Sequence, residues 1–314
     1  MRQYNYLLYA FTCVLIWSFI PIVSRFGQEG MDSFQFLFWS NLISAISVII
    51  VALASGYRLA KLFILPRDVL VKVFVLGFLD CLFYLLLYYG YSIENGIAVL
   101  VIQYSWPLVI ILLSVVLLKD KLAGRQVVGI IIGFIAVIIT FTKGQITQLH
   151  VENPTALLLV FSGAFCFALM SVFSRQYSID PYISTVWLFI FSTLVSFVLL
   201  ILFSEMRLPS KTTFWPTLVN GILINGVSYI LWFKAMNTGH SAKIASVVFL
   251  SPVLSVFWLV LILNDAFEAA YVAGVLLVII SGILCVGTKK HGQKLWEGRI
   301  NDTAFASHCW TGSQ

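Results

Sequence analysis

The chain has 314 residues, of which 61% are hydrophobic and only 10% charged, with 26 Phe, 13 Tyr and 9 Trp. So few charges cannot cover a soluble domain, and the net charge of +6 is dispersed among the segments between apolar runs, which argues against a nucleic-acid partner. The sequence contains no nucleotide-binding GxxxxGKS/T, HExxH or GxSxG pattern, so ATP-driven pumping by the single chain is excluded and no catalytic motif stands out.

Ten apolar stretches follow one another, at roughly 6–25, 33–54, 69–90, 96–118, 124–142, 155–174, 182–204, 215–236, 244–263 and 270–287. Each is close to the ~20 residues that a helix needs to cross ~30 Å of hydrocarbon. Runs such as VVGIIIGFIAVIIT (127–140) are apolar on every face, without the alternation of a membrane barrel. The predicted fold class is therefore an all-α polytopic membrane protein with ten transmembrane helices. The first stretch is as long as the others and has no small-residue cleavage site, so it reads as a span rather than a signal peptide.

The first stretch carries Trp17 and closes on Ser24-Arg25. After the second, the longest loop, 55–68 (SGYRLAKLFILPRD), is expected to lie amphipathically on the membrane surface. Asp80 sits midway along the third. An ionised carboxylate at a helix centre costs ~2.5–3.5 kcal/mol on insertion scales, so it calls for water, a partner or a substrate. Two accounts compete: a transport-path carboxyl suited to a proton-coupled cycle, and a protonated acid bonding a neighbouring helix. Asp80, Tyr84 and Tyr88 lie at i, i+4 and i+8 and form one stripe.

In the fourth stretch, Gln103 lies one turn before Pro107. Proline removes a backbone hydrogen bond and frees a carbonyl for ligand binding or bending, although kinks of this kind are also tolerated without function. Trp106 and Trp17 could stack on a planar or cationic substrate; lipid contact or anchoring in the interfacial belt is the simpler account. Gly129 and Gly133 in the fifth read as a close helix contact.

Arg175 ends the sixth stretch as Arg25 ends the first, and for both a cation at a helix C-terminus is a sufficient account. Asn225 and Tyr229 occupy the eighth. An asparagine there can hold an amide or carboxyl group, or simply bond another helix. Lys234 and Lys243 flank the following turn, where snorkelling and orientation explain them. Pro252 interrupts the ninth. The cysteines at 13, 81, 166, 285 and 309 and the histidines at 150, 240, 291 and 308 show no ligand or disulfide spacing, so no cofactor or metal is indicated. The polar segment 289–314 reads as a cytoplasmic tail whose basic start anchors to anionic headgroups.

If the N-terminus is cytoplasmic, only Arg25, Lys143, Arg207 and Lys211 of the 19 basic residues fall outside. That bias predicts both termini on the cytoplasmic side of a bacterial inner membrane.

The chain also repeats. At an offset of 145, Asp80 pairs with Asn225, Tyr84 with Tyr229, Pro107 with Pro252, Asp120 with Asp265 and Gly129 with Gly274. Earlier pairs, at offsets of 148 and 150, are Asp32 with Asp180, Trp39 with Trp187 and Arg25 with Arg175. Each half has five spans, an odd number, so the halves 1–147 and 148–288 are predicted to be inverted repeats.

The two copies YSWPLVIILLSVVLLKDKLAGRQVVGIIIG and FLSPVLSVFWLVLILNDAFEAAYVAG carry a mid-span proline, an acidic hinge and a helix opening toward glycine. In these features the chain resembles the ten-helix EamA-type branch of the drug/metabolite transporter superfamily. Members usually have Glu in the hinge, where both copies here have Asp. The resemblance implies ten helices around a central cavity with alternating access, moving small metabolites in or out.

The resulting expectation is a secondary transporter, an exporter of amino acids or related small metabolites, with Asp80, Tyr84, Gln103, Trp106, Asn225 and Tyr229 lining its cavity. Pro107 and Pro252 would act as hinges, and Gly129 and Gly133 as packing positions. Its partners would be a small-molecule substrate, membrane lipids and, in a coupled cycle, protons. An intramembrane enzyme acting on a lipid-linked substrate is the alternative, disfavoured by the lack of clustered acidic or histidine residues. A channel is disfavoured because no ring of polar residues recurs.

Overall fold

The computed structural model describes residues 5–94, 96–145, 147, 153–263 and 267–286. The polar tail and Asp265 lie outside the described residues. Ten helices long and apolar enough to cross a membrane are present among them, within a few residues of the predicted bounds. They are α1 (Asn5–Gln28), α2 (Ser33–Ala54), α3 (Arg67–Ile93), α4 (Gly96–Gln103 and Trp106–Leu118), α5 (Gly124–Phe141), α6 (Pro154–Tyr177), α7 (Pro181–Phe203), α8 (Lys211–Thr238), α9 (Ser241–Val248 and Leu250–Leu263) and α10 (Ala269–Val286). No strand occurs among the described residues. Large apolar side chains such as Leu112, Leu202 and Ile283 are mostly exposed, an arrangement that water would oppose and lipid accepts.

Local chemistry sets the helix ends. Asp32 accepts from Phe34 N (2.8 Å) and Gln35 N (2.9 Å) to cap α2, and Asp180 caps α7 through Tyr182 N and Ile183 N. Each satisfies amides that the helix start leaves without partners. Trp39 and Trp187, on those same two helices, each donate an indole N–H to a loop carbonyl, of Arg207 and of Leu62. Residues paired at offset 148 thus do the same work in both halves. The loop carrying Leu62 holds a one-turn helix, Leu59–Phe63, with Leu62 buried against the bundle.

Four spans are interrupted. α1 breaks after Trp17, just before Pro21, and α4 breaks before Pro107. α9 breaks at Phe249, just before Pro252. The α4 and α9 interruptions meet, since Tyr104 donates its hydroxyl to Ser251 Oγ (3.3 Å). α8 instead widens into a π-helical stretch, Asn220–Val227, one turn after Pro216.

α3 packs on α6 and α7, α2 on α7 and the π stretch of α8, α1 on α8 and α9, α4 on α6, and α5 on α10. A Cβ at Gly221 would lie 2.6 Å from Ile43 Cβ, so only glycine admits α2 at this approach. Gly129 and Gly133 of α5 also lie at close approaches. A side chain at Gly129 would meet Cys285 Sγ at 2.8 Å, and one at Gly133 would run into the Phe249 ring and Ser281 Oγ.

Candidate functional site

The centre of the bundle is built on Asp80 of α3, which has no exposed surface. Tyr229 of α8, equally buried, donates its hydroxyl to Asp80 Oδ1 at 2.7 Å. Ser192 Oγ of α7 lies 3.3 Å from Gly77 O and 3.5 Å from Asp80 Oδ2, so its one proton is shared between them. The Tyr229 and Tyr84 hydroxyl oxygens are 3.4 Å apart. Two tyrosines matched across the repeat therefore meet, and the acid of one half is held by the tyrosine of the other. Asp80 forms no ion pair among the described residues. Its charge demand is met by hydroxyl hydrogen bonds alone, which favour retention of a carboxyl at this depth without cancelling its charge.

Aromatic rings enclose this group. Trp17 of α1 lies 5.3–6.1 Å, centroid to centroid, from Trp106 of α4, Phe167 of α6, and Tyr229 and Trp232 of α8. Most of these contacts are edge-to-face, the arrangement that ring quadrupoles favour. Trp17 donates its N–H to Ser228 Oγ (2.8 Å) and Ile224 O (3.2 Å). Ile224 is in the π stretch, where the looser winding leaves a carbonyl available to a side chain. Trp232 donates to Ser171 Oγ at 3.0 Å. Trp17, Trp106 and Trp232 are thus buried, which overturns lipid contact and belt anchoring as the account of Trp17 and Trp106. Each indole N–H of Trp17 and Trp232 finds a buried partner that lipid could not supply.

Of the residues expected at the site, the structure joins Asp80, Tyr84 and Tyr229 in one polar chain and places Trp106 in the ring cluster around it. Asn225 is buried in the π stretch one turn before Tyr229. Gln103 ends the first half of α4, at its interruption. Nothing is described for the Tyr88 side chain. Ser192, Ser228, Phe167 and Trp232 complete the centre without having been anticipated. Trp232 was within reach, since it lies three residues after Tyr229 and so on the same helix face. Ser192 gives no signal in a span rich in serine and threonine. No three His, Cys, Asp or Glu side chains converge among the described residues.

The centre is closed, and two recesses lie near the ends of the bundle. One, of about 460 Å³, runs between the α1–α2 turn and the α7–α8 loop and is bordered by Gln28, Asp32, Glu205 and Arg207. The other, at the opposite end, is bordered by Tyr57, Arg58 and Lys61. At that same end Tyr57 donates to Asp180 Oδ2 (2.6 Å), and burial together with the neighbouring carboxylate pushes its hydroxyl well above the usual phenol range. Lys234 donates to Tyr182 at 2.9 Å, a defined partner rather than free snorkelling.

The EamA-like transporter family profile matches residues 5–142 and again 154–287, once in each half. The chain is 21% identical to an uncharacterized transporter, YoaV, of Bacillus subtilis, over 84% of this chain and 90% of that one. It is 23% identical to an uncharacterized transporter of Archaeoglobus fulgidus, over 93% of this chain and all of that one. It is 24% identical to an S-adenosylmethionine uptake transporter of Rickettsia bellii, over 64% and 67%. A solved crystal structure at 19% identity superposes with a TM-score of 0.81, covering 90% of this chain and 97% of the other, so the fold is shared. Ten apolar helices, a buried polar centre and a double match over nearly the whole length agree: this integral membrane protein belongs to the EamA-like transporter family.

Proposed function

We propose that the chain is a secondary transporter exporting amino acids or related small metabolites by alternating access, coupled to protons through Asp80. The observation that carries this reading is the Asp80 carboxyl, wholly buried in the middle of α3 and held by hydroxyls instead of by a cation. A charge in that position is costly, and it faces the bundle interior rather than lipid, as groups on a transport path do. The rings around it supply apolar walls with few polar groups, as small-ligand sites have. The interruptions in α1, α4 and α9 and the π stretch of α8 bring backbone irregularity to the same core, where bending of the half-helices about Pro107 and Pro252 would open it. The halves 1–147 and 148–288 would act as inverted repeats about this centre, with both termini cytoplasmic in a bacterial inner membrane.

The relative named for S-adenosylmethionine uptake makes that compound one of the metabolites to test, and makes import the direction to test beside export. An enzyme acting on a lipid-linked substrate gains no support from the centre, where no cluster of three acidic, histidine or cysteine side chains forms among the described residues. The experiment is metabolite flux in proteoliposomes under an imposed pH gradient. Asp80→Asn should abolish flux driven by the gradient while leaving expression and substrate exchange largely intact, because the amide keeps the size and loses the titration. Normal gradient-driven flux in that variant would overturn the coupling role.

A further inference from the structure

At the end of the bundle where α1 begins, three segments distant in sequence meet in one ionic cluster. Arg175, in the last turn of α6, donates from Nη1 to Asp120 Oδ2 at 2.6 Å and from Nη2 to Asp120 Oδ1 at 3.1 Å. Asp120 lies in the turn between α4 and α5. Ser241, the first residue of α9, lies 2.8 Å from Arg175 Nη1 and 3.2 Å from Asp120 Oδ2, and takes a hydrogen bond from Ser114 of α4 at 2.9 Å. The Arg175 and Asp120 side chains are only 13% and 11% exposed. Bidentate geometry with shielding from solvent is the strong form of this pair. Two of the three non-glycine residues with positive φ among the described residues flank it: Lys119 (57°), next to Asp120, and Ser178 (51°), at the end of α6. Left-handed backbone at such residues is strained and persists where surrounding contacts hold it.

We infer that Arg175, Asp120 and Ser241 form a latch that holds this end of the bundle shut, so that the core is reached from this side only when α6, the α4–α5 turn and the start of α9 separate. The inference rests on the transport reading for the purpose of that opening. The elements it joins are those that wall the core: α4 carries Trp106, α6 carries Phe167 and Ser171, and α9 packs beside α1, the helix that carries Trp17. The latch also ties the second half of α4 and the first half of α9 to α6, away from their interruptions, so its release frees the segments that the prolines allow to bend. Arg25, which ends α1 as Arg175 ends α6, is exposed and forms no ion pair among the described residues.

Cys81, next to Asp80 and 2% exposed, is a native reporter of access to the core. The test uses the full chain with Cys81 as its single cysteine, the others replaced by Ala or Ser. Labelling of Cys81 by an impermeant maleimide is timed from each face of sealed vesicles. The parent should label slowly from both faces. Arg175→Gln and Asp120→Asn should each speed labelling about tenfold or more from the face bearing the α4–α5 turn, with little change from the other face. Ser241→Ala keeps the ion pair and removes the bridging hydroxyl, and should speed it by about threefold. This third variant keeps the test open should a charge variant not fold. Unchanged rates, or an equal rise from both faces, would overturn the latch. Labelling needs no substrate. One-sided opening in a chain that moves no metabolite would sink the transport reading alone, and fixed labelling beside normal flux would sink the latch alone.

Discussion

The two ends of the bundle use the same residue types to different effect. At one end Arg175 and Asp120 meet almost out of solvent and join α6 to the α4–α5 turn. At the other, Arg207 and Glu205 pair at 2.5 Å with both side chains about three-quarters exposed and only two residues apart, beside an open recess of about 460 Å³. Distance alone would rank the second pair as the tighter. Burial and sequence separation reverse the ranking, because an exposed local pair is screened and constrains nothing distant, whereas a shielded one fixes three elements and is costly to break on one side. Closure is a property of where the charges are, not of how many there are.

The largest test of that contrast is substitution at each end. Arg175→Gln should cost about 3–5 kcal/mol, because Asp120 is left as a shielded, uncompensated charge. Arg25→Gln and Glu205→Gln should each stay within about 0.5 kcal/mol. Thermal or denaturant unfolding in detergent, followed by tryptophan fluorescence, would measure all three, and equal losses would erase the distinction between the ends. Midway between them, Tyr229→Phe should cost about 1–3 kcal/mol, since it removes the hydroxyl that Asp80 accepts from and leaves the buried carboxyl oxygen unmet. The same variant should keep the ring contacts, so a loss no larger than that of a surface substitution would mean that Asp80 is satisfied elsewhere.

A smaller effect belongs to His240, between α8 and α9 and one residue from Ser241. Burial lowers its pKa from the ordinary 6.5, with Asp120 acting in the opposite direction and Arg175 and Lys243 in the same one, and its Nδ1 is buried without a partner among the described residues. The unfolded chain therefore binds a proton that the folded one resists. The stability contributed by neutral His240 is present above pH 6.5 and is lost as the pH falls below it. His240→Gln should flatten that part of the acid limb in a melting-temperature profile. An unaltered profile would place the sensitivity elsewhere.

Much of this was legible in the chain itself. Apolar length and scarcity of charge fixed ten spans, because a helix in lipid must satisfy its own backbone and can bear almost no charge. The Trp39/Trp187 and Asp32/Asp180 correspondences were visible as offsets and emerge as like contacts, since capping and indole bonding depend on near neighbours. Asp80 announced itself through its cost. The partner of Arg175 did not. A helix-end arginine has a sufficient local explanation in the helix dipole, and Asp120, 55 residues earlier, carries no mark of being near it.

Composition also misplaced the tryptophans. Trp17 and Trp106 have the chemistry of both a lipid belt and a buried cluster, and only the approach of α1, α4, α6 and α8 decides between them. The π stretch of α8 is likewise a tertiary outcome, set where Gly221 lets α2 come close and where Trp17 takes the Ile224 carbonyl. Sequence determined what each segment could be, through burial cost and backbone self-satisfaction acting within one helix. Which polar group answers which other was decided only by packing, because those bonds span 52 to 211 residues and depend on neighbours that no local pattern specifies.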